Sequence, residues 1–137
     1  MLVIHWQPRN SRICYANAGH EPGLIIRATG EAILLESDGF MVGAVPEATW
    51  SLHSASVFSG DRLFMYTDGA VETFNSEREI FGRKRLHDAV ISLSNVSPQE
   101  SMKGLIQRLD DFRGNRPFAD DVTLLILEFN TTTDEAN

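Results

Sequence analysis

The sequence predicts an α+β fold in which antiparallel strands form a sandwich, and three observations carry that expectation. The first half, to Thr67, is a series of short strand-like runs separated by turn residues. The second half shifts to the spacing of helices. The final run, Val122–Phe129, is apolar on both of its alternating faces, which asks for cover on two sides. A sheet with helices on one face and a second sheet on the other meets that need. The centre of a two-faced α/β sheet would also meet it, but strands joined by short turns favour antiparallel pairing and the sandwich.

The elements follow in order. Leu2–Trp6 reads as a strand, Pro8 to Ser11 as a turn, and Arg12–Ala18 as the second strand. Gly19 to Gly23 is a loop, and Leu24–Arg27 and Ala32–Leu35 form strands around a Thr29-Gly30 turn. A glycine-containing loop covers Glu36 to Pro46. Trp50–Phe58 alternates, with Trp50, Leu52 and Ser54 on one side and His53 and Ala55 on the other. After Ser59-Gly60-Asp61, the apolar run Arg62–Thr67 stops at Asp68-Gly69. Gly82–Leu93 carries Leu86, Ala89, Val90 and Leu93 at helical spacing. Ser97-Pro98-Gln99-Glu100 has the form of a helix start: a serine cap, a proline in the first turn and a glutamate three residues on. The helix that follows presents Met102, Leu105, Ile106, Leu109 and Phe112 on one face. Residues 1–129 make one domain, and 130–137 are a polar tail expected to fray.

Composition narrows the class. The 137 residues are 42% hydrophobic and 23% charged, as in an ordinary soluble globular domain. No apolar run reaches the ~20 residues of a membrane helix, and Met1 to Pro8 lacks the basic start of a signal peptide. A net charge of −7 argues against the electrostatic footprint of a nucleic-acid binder. It permits cation binding without demanding it. Cys14 is the single cysteine, so no internal disulfide forms and a reducing cytoplasm is the simplest location.

Two acidic sites stand out. Arg62–Thr67 delivers Asp68 at a strand end, and Asp120-Asp121 sits just before the last strand. Carboxylates held close repel one another, and a divalent cation relieves that repulsion. Oxygen ligands without a Cys or His cluster suit Mg²⁺ or Mn²⁺ rather than zinc. On spacing alone the plainer readings come first: Asp68-Gly69 as a hairpin turn, and Asp120-Asp121 as solvated loop charges. His20, in Asn17-Ala18-Gly19-His20, has the chemistry of a proton donor or phosphate contact. Its plainer reading is a loop histidine bonded to a backbone carbonyl. His5, His53 and His87 have no partner at metal-ligand spacing, Cys14 reads as a buried structural thiol, and Arg83-Lys84-Arg85 as a solvated basic face.

Four segments occur in a telling order: Tyr15-Ala16-Asn17-Ala18-Gly19-His20-Glu21-Pro22; Tyr66-Thr67-Asp68-Gly69 with Glu72 and Asn75; Phe81-Gly82-Arg83-Lys84-Arg85-Leu86; and Asp120-Asp121-Val122-Thr123-Leu124-Leu125. From about Leu2 to Phe129 the chain resembles the bacterial stage II sporulation protein E-like phosphatases, a branch of the protein phosphatase 2C-like (PPM) family. The resemblance implies an αββα sandwich of two antiparallel sheets flanked by helices. It also implies two Mn²⁺ or Mg²⁺ ions that activate water for direct attack on phosphoserine or phosphothreonine. By motif, Asp68 and Asp120 correspond to metal ligands. Gly69, Asp121, Asn17 and His20 correspond to supporting positions, with no assigned role for His20. The implied substrate is a phosphorylated regulatory protein such as an anti-sigma-factor antagonist. A catalytically inactive, protein-binding relative is the alternative.

One departure shapes the expectations. Nothing in the chain matches the Asp-x-x-Gly-His-Gly type motif that bridges the metals near the start of the family's domain. The chain thus reads as a partial domain, either a fragment or a natural short relative, that lacks N-terminal strands and helices. It is expected to hold two ions poorly, to show little activity by itself, and to self-associate through an uncovered sheet edge. Within the last strand, Asp120 and Asp121 point to opposite faces if strand geometry reaches that far.

Overall fold

The computed structural model describes residues 1–36 and 39–130. Seven strands and three helices follow in the order β1 (Leu2–Gln7), β2 (Arg12–Asn17), β3 (Gly23–Ile26), β4 (Ala32–Leu35), β5 (His53–Ser56), β6 (Arg62–Tyr66), α1 (Asp68–Val71), α2 (Gly82–Ser92), α3 (Pro98–Arg113) and β7 (Leu124–Glu128). A short 3₁₀ turn, Pro8–Asn10, joins β1 to β2. The polar tail predicted beyond Asn130 and part of the Glu36–Pro46 loop lie outside the described residues.

The strands form two antiparallel sheets. One has the order β1-β2-β5 and the other β4-β3-β6-β7. Period-two alternation sends the residues of β3 and β6 to two different cores. Leu24, Ile26, Phe64 and Tyr66 pack toward α2 and α3, against Leu86, Val90, Leu105 and Leu109. Ile25 and Leu63 face the other way, into a core shared with Ile13, Tyr15, Val57 and Phe129. The predicted two-sheet α+β architecture is therefore present, and α2 and α3 lie on the four-stranded sheet.

Local chemistry fixes the helix starts. Ser97 accepts from the Glu100 amide while the Glu100 carboxylate accepts from the Ser97 amide, so two otherwise orphaned donors are satisfied. α3 is tied to the sheet by Arg62, which is buried. Its guanidinium donates to Glu128 (2.9 Å), Ser101 Oγ (3.1 Å) and the Val96 carbonyl (2.6 Å). A buried charge needs such a full set of partners. Among the described residues, no buried side-chain polar atom lacks one.

Several expectations are corrected. Asp68-Gly69 is not a hairpin turn but the opening of α1. The last strand is an edge strand rather than one covered on both sides: Leu125 and Leu127 are 39% and 45% exposed, while Leu124 and Ile126 pack toward the helices. In α3 the inward stripe is Ser101, Leu105 and Leu109, and Ile106 faces outward. The Trp50–Phe58 run shortens to His53–Ser56, with Leu52 left in solvent. The basic triplet is the exposed face expected of it, and its three charges have partners: Lys84 pairs with Asp88. Arg85 donates to the Ile80 and Phe81 carbonyls, and Arg83 binds Glu21.

Candidate functional site

The site is built at one end of the β6–β7 pair. These strands are antiparallel, with Tyr66 opposite Leu124, so the end of one lies beside the start of the other. Thr67 clasps the two segments. Its amide donates to the Thr123 carbonyl (3.1 Å), and its hydroxyl accepts from the Thr123 amide (3.0 Å) and donates to the Asp121 carbonyl (3.2 Å). Gly69 is required there because a Cβ would collide with the Asp121 carbonyl oxygen. The chain around Asp68 and the Asp120-Asp121 pair is thereby held together.

All three aspartates are exposed. Asp68 Oδ1 accepts from the Gly69 amide (3.0 Å), and Asp120 Oδ1 from the Asp121 amide (2.7 Å). Asp120 and Asp121 lie outside β7, so strand alternation does not decide which carboxylate faces the cleft. Among the described residues, no three His, Cys, Asp or Glu side chains converge on a point that one ion could share.

A second strand end meets this one. Asn17, fully buried at the end of β2, holds the following turn: its Oδ1 accepts from the His20 amide (2.9 Å) and its Nδ2 donates to the His20 carbonyl (3.1 Å). Gly19 adopts a left-handed φ of +68° and lies against Met41, where a side chain would not fit. His20 Nδ1 lies 2.8 Å from the Glu21 carbonyl, the plain role expected of a loop histidine. The result is a cleft of about 420 Å³ in which His20, Glu21, Met41, Val42, Thr67 and Asp68 form the walls.

The sequence does not single out Tyr66, Arg83 and His87 as a group, yet they back this cleft with Glu21. Arg83 grips the Glu21 carboxylate with two nitrogens, at 2.9 and 3.1 Å. The Tyr66 hydroxyl lies 2.8 Å from His87 Nε2 and 3.4 Å from Glu21 Oε2. Burial, reinforced by the Glu21 charge, pushes the Tyr66 phenol well above its ordinary range. Burial, and next the Arg83 charge, push the His87 imidazole down, so it is held neutral. These residues come from β6, α2 and the β2–β3 loop. Only the presence of Glu21, Tyr66 and Arg83 inside the quoted motifs hinted at the network.

Comparison with known proteins agrees with the fold and the motifs. The family description "Stage II sporulation protein E (SpoIIE)" matches residues 1–130. Protein IcfG of Synechocystis is 32% identical over 123 residues, covering 88% of this chain and 19% of that protein. Phosphoserine phosphatase RsbU of Bacillus subtilis is 25% identical over 131 residues, covering 93% of this chain and 38% of that protein. The chain thus spans less than half the length of these two curated relatives. Among solved structures, the SiaA-PP2C domain of Pseudomonas aeruginosa superposes with a TM-score of 0.77 at 20% identity, covering 89% of this chain and 48% of that one. The Mn-presoaked phosphatase domain of SpoIIE from Bacillus subtilis gives 0.69 at 17% identity, over 99% of this chain and 59% of that one. At these identities the structural matches speak for the fold, while the family match over nearly the whole chain speaks for descent. The chain belongs to the stage II sporulation protein E family of phosphatase domains.

Proposed function

We propose that this chain is part of a metal-dependent protein phosphatase that hydrolyses phosphoserine or phosphothreonine on a regulatory protein, such as an anti-sigma-factor antagonist. The observation that carries the reading is the antiparallel β6–β7 register, which brings the Asp120-Asp121 segment beside the chain around Asp68, a residue of the cleft wall. RsbU, a relative, is a phosphoserine phosphatase.

In this reading Asp68 and Asp120 hold the cation. Their hard carboxylate oxygens fit Mg²⁺ or Mn²⁺, which need only one or two carboxylates and complete their shells with water and phosphate oxygens. When bound, such an ion supplies Lewis acidity and an activated water for phosphate hydrolysis. Gly69 keeps the Asp121 backbone close to the Asp68 turn, and Asp121 supports the site. Asn17 fixes the turn that sets His20 and Glu21 in the cleft wall. The described residues contain no helix long and apolar enough to cross a membrane. The chain carries one free, half-buried cysteine; a cytoplasmic phosphatase acting on a soluble partner fits both.

A second reading, a phosphatase scaffold retained for protein binding, is favoured by one observation: no three potential metal-ligating side chains converge among the described residues. Mutation decides between the two in the intact protein. Asp68→Asn and Asp120→Asn each abolish Mn²⁺-dependent hydrolysis of p-nitrophenyl phosphate and weaken Mn²⁺ binding. Metal-free stability stays equal or rises, because a like charge is removed. Asp121→Asn retains much of the activity. Wild-type protein with no turnover favours the scaffold reading. A dead Asp121→Asn beside an active Asp120→Asn reverses the assignment of the pair.

A further inference from the structure

The segment Gly39 to Leu52 is a long connection whose base is locked and whose apolar side chains are not. Gly39 bridges to Ala18, and the Trp50 indole donates to the Phe40 carbonyl (2.8 Å). A side chain at Gly39 would strike the Trp50 ring, and one at Gly19 would strike Met41. The loop therefore has a fixed place beside the β2–β3 turn. Yet Phe40 and Met41 are each 64% exposed, Val42 57% and Val45 40%. Such a run of adjacent exposed apolar residues marks an interaction surface more often than chance.

Its position says what lies on it. Met41 and Val42 form one wall of the Asp68 cleft, and Glu21 and His20 belong to the same cleft. A cleft of about 420 Å³ admits one phosphorylated side chain, not a protein surface. A specific protein–protein contact covers roughly 800 Å² on each partner, so a protein that offers a phosphoserine to Asp68 must also rest on the rim. On the loop side that rim is apolar. Across the cleft the Arg83 guanidinium is already occupied by Glu21. Acidic residues flanking the phosphate would find that cation taken and would bury against Phe40 and Met41 at a cost. Apolar ones would bury favourably, and exposed Met and aromatic residues are enriched in the centres of protein contacts.

We propose that Phe40, Met41, Val42 and Val45 form a docking rim that selects phosphoproteins whose phosphorylated residue is flanked by apolar side chains. This rests on the phosphatase reading above. The test uses the intact protein with Mn²⁺ and three probes: p-nitrophenyl phosphate, a phosphoserine peptide with Leu and Ile flanks, and the same peptide with Glu and Asp flanks. Wild-type protein prefers the apolar peptide. Phe40→Ser combined with Val45→Ser, neither of which lines the cleft, lowers kcat/KM for the apolar peptide about tenfold relative to p-nitrophenyl phosphate, as expected for losing about one strong contact. The acidic peptide changes little by the same ratio. An unchanged ratio, or equal loss on all three probes, overturns the docking rim. Wild-type protein inactive on p-nitrophenyl phosphate and on both peptides overturns the phosphatase reading, and the rim with it.

Discussion

The two faces of the four-stranded sheet contain similar residues and end in different states. On the helix side, Phe64 and Tyr66 of β6 meet Leu86, Val90, Leu105 and Leu109, all buried. On the other side, Leu63 is equally buried, but toward the β1 and β7 edges the packing opens into a groove of about 490 Å³. Leu2, Ile4, Trp6, Met65, Leu127 and Phe129 line it. The helix side is closed because α2 and α3 lay a continuous apolar stripe across the strands. Among the described residues the sheet-on-sheet side is covered by a three-stranded sheet, and a groove remains between β1 and β7. Apolar composition thus fixes what a face requires, and neighbouring elements decide whether it is met.

The largest test of this contrast is a pair of truncations. Leu109→Ala, on the helix side, is expected to cost about 3 kcal/mol of unfolding free energy, because it leaves a cavity in a close-packed layer. Leu127→Ala, nearly half exposed, is expected to cost under about 1 kcal/mol, since little transfer energy and no closed cavity are involved. Urea titrations of the two variants check the ratio. Equal costs would mean that the groove closes in solution.

The open side is also where chains should meet. An edge strand with exposed Leu125 and Leu127 offers unpaired backbone beside apolar surface. We expect concentration-dependent association in sedimentation, lost in Leu127→Lys, while a lysine at the outward-facing Ile106 of α3 leaves it intact. A concentration-independent wild-type monomer removes this expectation.

The smallest effect sharpens the closed side. His87 lies between that core and the cleft, held neutral by burial and by Arg83; Glu21 and Asp88 act in the opposite direction, and Tyr66 is its hydrogen-bond neighbour. Its folded-state pKa is below the unfolded value of about 6.5, so the unfolded chain binds the proton more readily. Its contribution to stability is therefore complete above about pH 6.5 and is lost as the pH falls through that value toward the folded pKa. His87→Gln should reduce the drop in melting temperature between pH 7.5 and 5.5. An equal drop in both proteins assigns the pH dependence to other groups.

Much of this was legible beforehand because it is local. The Ser97–Glu100 capping box, the strand Arg62–Tyr66 and the turn at Pro8 depend on residues a few positions apart, and all occur where their chemistry places them. The phosphatase family was equally legible, since its motifs are short segments in a fixed order. Other features were settled by partners far along the chain. Asp68-Gly69 has the composition of a hairpin turn, yet Thr67 binds the Thr123 strand and the chain turns into α1 instead. Val122–Phe129 alternates as a doubly covered strand would, but nothing in its own residues tells that, among the described residues, β6 is its one neighbour in the sheet. Arg83 resembles any surface arginine until the β2–β3 loop brings Glu21 to it. Burial, pairing and charge compensation are properties of pairs of segments, and only the folded chain chooses the pairs.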